Sequence, residues 1–356
     1  MKIVFVTQTL DPSHPALAQT TDLVTALAAR AAKVAVVTRD AEWAAPANVS
    51  VHLFDASSRV GRVARFERAA LDAMRGADAV LVHMVPQFAL LAAPLARARR
   101  LPLLLWYTHW HASRALRIAT RIVDVPLSVD RSSYPVPTAR LRSIGHAIDV
   151  DRFDAPAVDQ RDGPLRLLTL GRTARWKGLA TLLDALEHVS ADVHLEIRGP
   201  SMTPDEVEHR AELARRADGT RVQLLDAVPR ADVPALLGSV DAVVSPNEPR
   251  SGATLDKAVY EAAACRRPVV STNAAFESLL GALPVELIAP PGDAAGLAVR
   301  LDGLAGASLE LRRAVGEELR RRVVEGHSLG HWADEVCRVI TEVRSARGTA
   351  GSRRSG

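Results

Sequence analysis

The sequence predicts an α/β protein made of two Rossmann-like, doubly wound domains in tandem. Three observations carry this expectation. Short apolar runs alternate with helical patterns along most of the chain. One polar segment, Asp154 to Pro164, carries two prolines and a glycine and interrupts that alternation. The chain also has 356 residues, more than a single hydrophobic core usually organises.

The elements follow in order. Ile3 to Thr7 reads as a buried strand. Leu17 to Ala32 reads as a helix with Leu23, Leu27 and Ala31 on one face. Strands are expected at Lys33 to Thr38, Val51 to Phe54, Ala79 to Val82 and Leu103 to Tyr107, with helices at Arg62 to Arg75 and Ala89 to Arg99. Continuous apolar strands between helices imply parallel strands covered on both faces. After the linker the rhythm restarts. Strands are expected at Leu165 to Leu170, Val193 to Arg198, Val222 to Leu224, Ala242 to Val244 and Val269 to Ser271. The intervening helices are Leu179 to Val189, Pro204 to Ala217, Asp232 to Ser239 and Asp256 to Ala264. Beyond Pro290 the pattern is helical: Ala294 to Leu304, Leu309 to Val324 and His331 to Arg344. This divides the chain into a first domain at 1–153, a second at 165–326, a last helix at 327–345 and a disordered polar tail at 346–356.

Composition excludes several classes. The net charge is +4, which suits phosphates, nucleotides or an anionic membrane face, but is too small to argue for nucleic acid. Aromatics make up 4% of residues and no basic run is interleaved with them, so stacking platforms for single strands are missing. Cys265 and Cys337 show no ligand spacing and read as buried thiols. Met1 to Val6 leads straight into a strand with no signal-peptide pattern, and no apolar run reaches the roughly 18–20 residues that span a bilayer. The expectation is a cytoplasmic protein, with peripheral contact to an anionic membrane left open. Arg320 to Arg322 reads as a solvated helix face, or else as a membrane or acceptor contact.

Two constellations carry chemistry. In the first, the strand ending at Leu170 runs into Gly171-Arg172, and Lys177-Gly178 follows. Glycine at the carboxyl end of a buried strand allows a tight turn beside a ligand. Arg172 supplies a planar fork of donors and Lys177 a point charge, a combination suited to two phosphates. Gly178 then opens a helix, whose amino end favours anions. The order of residues is not that of a Walker loop. The second constellation is Pro246-Asn247-Glu248, then Ser251 to Lys257, then Glu261 on an Ala-rich helix. Backbone N–H groups near Thr254 could hold a pyrophosphate. Glu261 reads either as a ribose-binding carboxylate or as a surface glutamate. His109 and His111 flank Trp110, but no third ligand is near in sequence, so no metal is expected. His83 reads as packing at a strand end, and His146 as structural. No Gly-x-Ser-x-Gly elbow, His-Glu-x-x-His or Gly-x-Gly-x-x-Gly occurs, which removes hydrolase and nicotinamide-dehydrogenase readings.

Gly171-Arg172, Lys177-Gly178 and Glu261-Ala-Ala-Ala-Cys-Arg-Arg-Pro-Val-Val together resemble glycosyltransferase family 4, a retaining family of GT-B fold. Asp11-Pro12, His83 to Pro86, Trp106 to Trp110 and Ile144 to Asp149 extend the resemblance over nearly the whole chain. It implies two Rossmann-like domains facing a central cleft, and transfer of a sugar from a nucleotide diphosphate donor. Arg172 and Lys177 would grip the donor diphosphate, and Glu261 would hold the ribose. Thr254, Leu255 and Asp256 would line the pyrophosphate, with Lys257 as a further phosphate contact. His109 would face the transferred sugar. Base contacts would come from the stretches around Arg198 and Val228. The resemblance also implies a last helix that crosses back to the first domain, a hinge at 154–164, and no metal or other cofactor.

The chain departs from the family in two places. Ala253 stands where the family has a glutamate, and Ala16 to Gln19 replaces a glycine-bearing first loop. These departures motivate an alternative: a non-catalytic sugar-nucleotide-binding partner of another transferase. A sugar-nucleotide epimerase of the same fold would need a carboxylate pair that the sequence does not display. The acceptor (glycan, lipid-linked or small molecule) is not legible.

Overall fold

The structure, a computed structural model, describes all residues except 15–16, 158, 160–162, 218, 249–254 and 353–356, and describes only the backbone at 349–352. Contacts divide it into two compact units: unit 1 is Met1–Ala147 with Ser328–Gly356, and unit 2 is Ile148–His327.

Unit 1 runs β1 (Lys2–Val6), β2 (Thr9–Leu10), α1 (Thr20–Ala28), β3 (Lys33–Thr38), β4 (Asp40–Ala41), β5 (Val49–Leu53), α2 (Arg59–Ala73), β6 (Ala79–His83), α3 (Pro86–Ala98), β7 (Leu103–Trp106), α4 (Arg114–Ile122), β8 (Val125–Ser128) and β9 (Arg142–Ser143). Its main sheet has the order β5-β3-β1-β6-β7-β8-β9, and every pairing is parallel. Val4 pairs with Ala35 on one side and Val80 on the other, so the apolar run at the N-terminus becomes the middle of the sheet. Side chains of β1, β3, β6 and β7 meet those of α2, α3 and α4 in one core that includes Phe54, Phe66, Met74 and Leu116. Short side chains cap the helices: Ser58 accepts from Gly61 N–H at the start of α2, and Ser113 from Leu116 N–H at the start of α4.

Unit 2 runs β10 (Leu165–Leu170), α5 (Leu179–Leu186), β11 (Val193–Arg198), α6 (Pro204–Arg216), β12 (Val222–Leu225), α7 (Val233–Ser239), β13 (Ala242–Ser245), α8 (Lys257–Ala264), β14 (Val269–Ser271), α9 (Glu277–Leu280), α10 (Ala294–Gly306) and α11 (Leu309–His327). Its sheet is parallel throughout, in the order β12-β11-β10-β13-β14. A final helix, α12 (Leu329–Ser352), belongs to unit 1. Trp332 of α12 is fully buried edge-on against Trp106, with ring centroids 5.9 Å apart.

Four expectations are corrected here. The chain passes between units at Ala147–Ile148, not within 154–164. Asp154 accepts from Arg266 and pairs with Arg320, and the Pro156 carbonyl accepts from Arg267, so the described start of the expected linker is bonded into unit 2. The expected disordered tail is helical to Ser352, because Arg344 reaches Asp78 and Arg347 reaches Asp124 and the Arg100 carbonyl. The helix expected at Leu17 to Ala32 is shorter, with the Asn48 amide bonding the Ala28 and Ala31 carbonyls at its end. Arg320 and Arg322 are not a solvated face. Arg320 donates to the Phe153 and Ala264 carbonyls, and Arg322 to those of Leu279 and Gly281, leaving only Arg321 in exposed ion pairs with Glu318 and Glu325. Helix α4 and strands β8 and β9 escaped the sequence reading; Pro126 within β8 is one reason.

Candidate functional site

In unit 2 the expected site residues gather at the carboxyl ends of β10, β11 and β13. Gly171 follows β10 with φ of +150°, and its N–H donates to the Arg198 carbonyl at the end of β11. A Cβ built on Gly199 would stand 1.7 Å from the Gly171 oxygen, so the two backbones lie closer than any side chain would allow. Gly178 has φ of +66°, and a Cβ there would stand 1.8 Å from the Pro246 oxygen just beyond β13. Gly178 and Gly199 are therefore required by close backbone approach, not by flexibility.

Between Gly171 and Gly178 the 3-10 turn Arg175–Lys177 lays the Lys177 stem against Gly171. The ammonium lies 4.6 Å from the Trp176 ring centroid and pairs with Asp256. Both side chains are largely buried, at 12% and 14% exposure. Asp256 is the residue before α8 and also accepts from the Asn247 amide. Arg172 has a separate partner. Its Nε and Nη2 donate to the two oxygens of Glu206 on α6, a carboxylate only 4% exposed. The same Glu206 carboxylate accepts from Met202 N–H at 2.6 Å. The two expected phosphate ligands are thus each held by their own carboxylate, and half of the Arg172 side chain stays exposed.

Glu261 lies one turn and a half into α8, about 7.5 Å along the axis from Asp256 by helical rise. It is buried, which removes the surface reading. Its Oε1 has no hydrogen-bond partner among the described residues, and the nearest ion-pair contact is Arg230 Nη1 at 3.7 Å. A buried carboxylate oxygen without a donor is costly, by about 1–3 kcal/mol, and is what a ligand hydroxyl would relieve. Leu255 is buried, Lys257 opens α8, and Val228 is half-buried after β12. Arg198 is turned to Glu196 on its own strand at 2.7 Å. Thr254 and Ala253 lie outside the described residues.

In unit 1, His109 follows β7, its side chain partly open to solvent and partly covered by its neighbours. Its Nδ1 accepts from the His111 N–H at 3.1 Å, and its ring stacks on Trp110 at 5.2 Å. Partial burial, with the neighbouring His111 charge second, holds its pKa below the usual 6.5. The neutral ring with an engaged Nδ1 carries its proton on Nε2, and so offers one donor outward. His83 is buried against Phe5 at the end of β6, with Thr7 Oγ1 3.1 Å from its Nδ1. Burial pushes the Cys265 thiol up to about 12, which makes it inert, while Cys337 is half-buried. Among the described residues no three His, Cys, Asp or Glu side chains gather as a metal-ligand set.

Sequence reasoning missed Glu206, Asn247 as a side-chain partner, and Arg230. Glu206 had a signal: Thr203-Pro-Asp-Glu206 has the spacing of a capping box, and Thr203 does cap α6 by accepting from Glu206 N–H. Nothing local marks Arg230, because its partner is about 30 residues away in sequence.

Residues 164–306 match the family model described as glycosyl transferases group 1, a span that falls wholly within unit 2. Unit 2 carries a group 1 glycosyltransferase domain. The glycosyltransferase is similar over its length to several solved structures. One is sucrose-phosphate synthase from Thermosynechococcus elongatus, with a TM-score of 0.72, 17% identity, and coverage of 97% of this chain and 99% of that one. Another is a glycosyltransferase from Rickettsia africae, with a TM-score of 0.75 and 14% identity over 96% and 98% of the chains. A third is HepE of Anabaena, solved in complex with UDP and glucose, with a TM-score of 0.72 and 16% identity over 96% and 100%. At these identities the likeness carries the fold, which is GT-B: two Rossmann-like units, each with its own parallel sheet. No curated protein sequence matches the glycosyltransferase. No helix among its described residues is long and apolar enough to cross a membrane.

Proposed function

We propose that this glycosyltransferase moves a sugar from a nucleoside diphosphate donor with retention of configuration, using side-chain cations where other transferases use a divalent metal. The observation that carries the reading is the buried Glu261 oxygen without a donor, on the same helix whose Asp256 holds Lys177. A ribose hydroxyl on Glu261 and a diphosphate at Lys177 would satisfy both ends of one nucleotide. HepE, a structural neighbour, was solved with UDP, and a uridine donor is accordingly the first to test.

In this reading the donor diphosphate competes with Asp256 for Lys177, and takes the edge of Arg172 that Glu206 leaves unused. Glu206 keeps the guanidinium plane fixed. As the sugar–phosphate bond lengthens, the bonding pair stays with the diphosphate, whose growing charge meets Lys177 and Arg172. His109, neutral and donating through Nε2, would support the transferred sugar.

Changing both Arg172 and Lys177 to alanine should lower transfer by at least about 10²–10³ while far-ultraviolet circular dichroism is retained. Unchanged turnover would remove the assignment. Glu261→Gln should weaken nucleotide binding in calorimetric titrations against UDP, GDP and ADP. A purified protein that binds nucleotide yet neither hydrolyses nor transfers its sugar would favour the non-catalytic partner reading.

A further inference from the structure

Glu206 holds the Arg172 fork, but the backbone that carries the fork is held by other groups. Thr173, the next residue, is fully buried, and each of its polar groups is bonded. Its N–H donates to the Pro200 carbonyl at 3.2 Å. Its hydroxyl donates to the Glu206 carbonyl at 3.1 Å and meets the Ser201 hydroxyl at 2.7 Å. Its carbonyl lies 2.7 Å from His209 Nδ1. A carbonyl only accepts, so the proton of this bond sits on Nδ1 and the imidazole donates. On the other side of Arg172, Gly171 N–H is tied to the Arg198 carbonyl. Both neighbours of Arg172 are therefore fixed, one to β11 and one to α6.

His209 is 3% exposed and lies on the α6 face that carries Glu206 one turn earlier. One turn further on, Glu212 accepts from the two terminal nitrogens of Arg175 at 2.7 and 3.0 Å, and Asp205 accepts from its Nε at 3.1 Å. Helix α6 thus grips the chain after β10 at positions 172, 173 and 175. These grips are unequal. The Arg175 pairs stand in solvent, where water and salt screen them. The His209 bond is buried, and without it the Thr173 carbonyl loses its partner at a residue closed to water. His209 also makes no contact with the residues assigned to the donor, so its influence on them passes through Thr173 alone.

We infer that His209 is a positioning residue for Arg172: its Nδ1–H bond to the Thr173 carbonyl sets the backbone from which the guanidinium projects toward the donor diphosphate. Glu206 then fixes the plane of the fork. The consequence for transfer rests on the reading of Arg172 given above; the hold of His209 on Arg172 does not. Misplacing a charged donor by about 1 Å at a reacting centre costs on the order of 10²-fold in rate, so a side chain that never meets the substrate can govern turnover.

Nitrogen-15 NMR of the full chain reads this hold without a ligand. The Arg172 Nε–H signal, identified by its loss in Arg172→Lys, should move and broaden in His209→Leu. His209→Asn, whose amide places an N–H near the Nδ1 position, should restore it. His209→Gln, whose amide sits one bond further out, should not. A signal indifferent to His209→Leu and His209→Gln overturns the inference. With UDP-glucose, kcat should fall about tenfold in His209→Leu and recover to within about threefold in His209→Asn, while UDP affinity by calorimetry changes less than about twofold. In an Arg172→Ala background the same His209→Leu change should alter kcat less than about twofold, because the side chain it aims is gone. An equal loss in both backgrounds would make His209 a general support of unit 2 and also overturn the positioning role. An intact NMR response, with Arg172→Ala turning over as fast as the parent, would leave the coupling of His209 to Arg172 standing and sink the diphosphate reading instead.

Discussion

The two units are built on the same parallel α/β plan but treat charge and backbone in opposite ways. In unit 2 the cations of the candidate site are already paired, Lys177 with Asp256 and Arg172 with Glu206. Its loops are fixed by glycines that a single methyl group would break, as at Gly178 and Gly199. In unit 1 a groove lined by Phe88, Arg39, Arg59 and Arg62 has no acidic side chain among the described residues of its lining, and Arg39 stands 3.9 Å from Asp55. The group 1 family model matches residues 164–306, within the unit that carries these constrained glycines. A diphosphate cradle demands particular φ angles, zero-volume residues and paired ions, so few sequences satisfy it. A groove selected by size and charge can be made in many ways, and sequence likeness fades there.

The comparison can be broken or sharpened by experiment. The largest effect should come from Gly178→Ala. Its positive φ and the Pro246 oxygen at 1.8 Å leave no room for a Cβ, so unfolding free energy should fall by more than about 2 kcal/mol in urea denaturation. A change under 0.5 kcal/mol would show that the cradle backbone is not constrained. Next is Glu206→Gln, which keeps the hydrogen-bond shape but removes the charge holding Arg172. Stability should fall by about 1–2 kcal/mol, and kcat should fall while nucleotide affinity changes little. Equal loss in both parameters would make Glu206 a binding rather than a positioning residue.

The smallest effect concerns His109. Its folded pKa lies below 6.5, so its protonation is disfavoured by the fold. The folded state therefore binds fewer protons than the unfolded one as pH falls through about 6.5. Any stability that His109 contributes is complete above that pH and declines below it. If neutral His109 serves the sugar, the acid limb of kcat/KM should sit below pH 6.5 and disappear in His109→Gln. An acid limb that persists in that variant would assign it elsewhere.

Glycine, lysine and glutamate at a strand–helix junction have few structural uses, so Lys177 and Glu261 could be singled out from sequence, while Asp256 was implied by the family resemblance. Their relations could not. Asp256 was expected as a phosphate contact, yet it holds Lys177, a residue 79 positions away. Arg320 and Arg322 looked solvated because a cation's partner carbonyls leave no mark in sequence.

The amino-acid order alone determined the alternation of strand and helix, and hence two parallel sheets, since burial periodicity is a local property of the chain. It also determined which side chains could carry phosphate chemistry. Only the tertiary structure decided where one unit gives way to the other, how far the last helix runs, and which cations are matched and which are not. Those outcomes depend on contacts between residues distant in sequence, and pairing energy at such separations depends on geometry that no local pattern encodes.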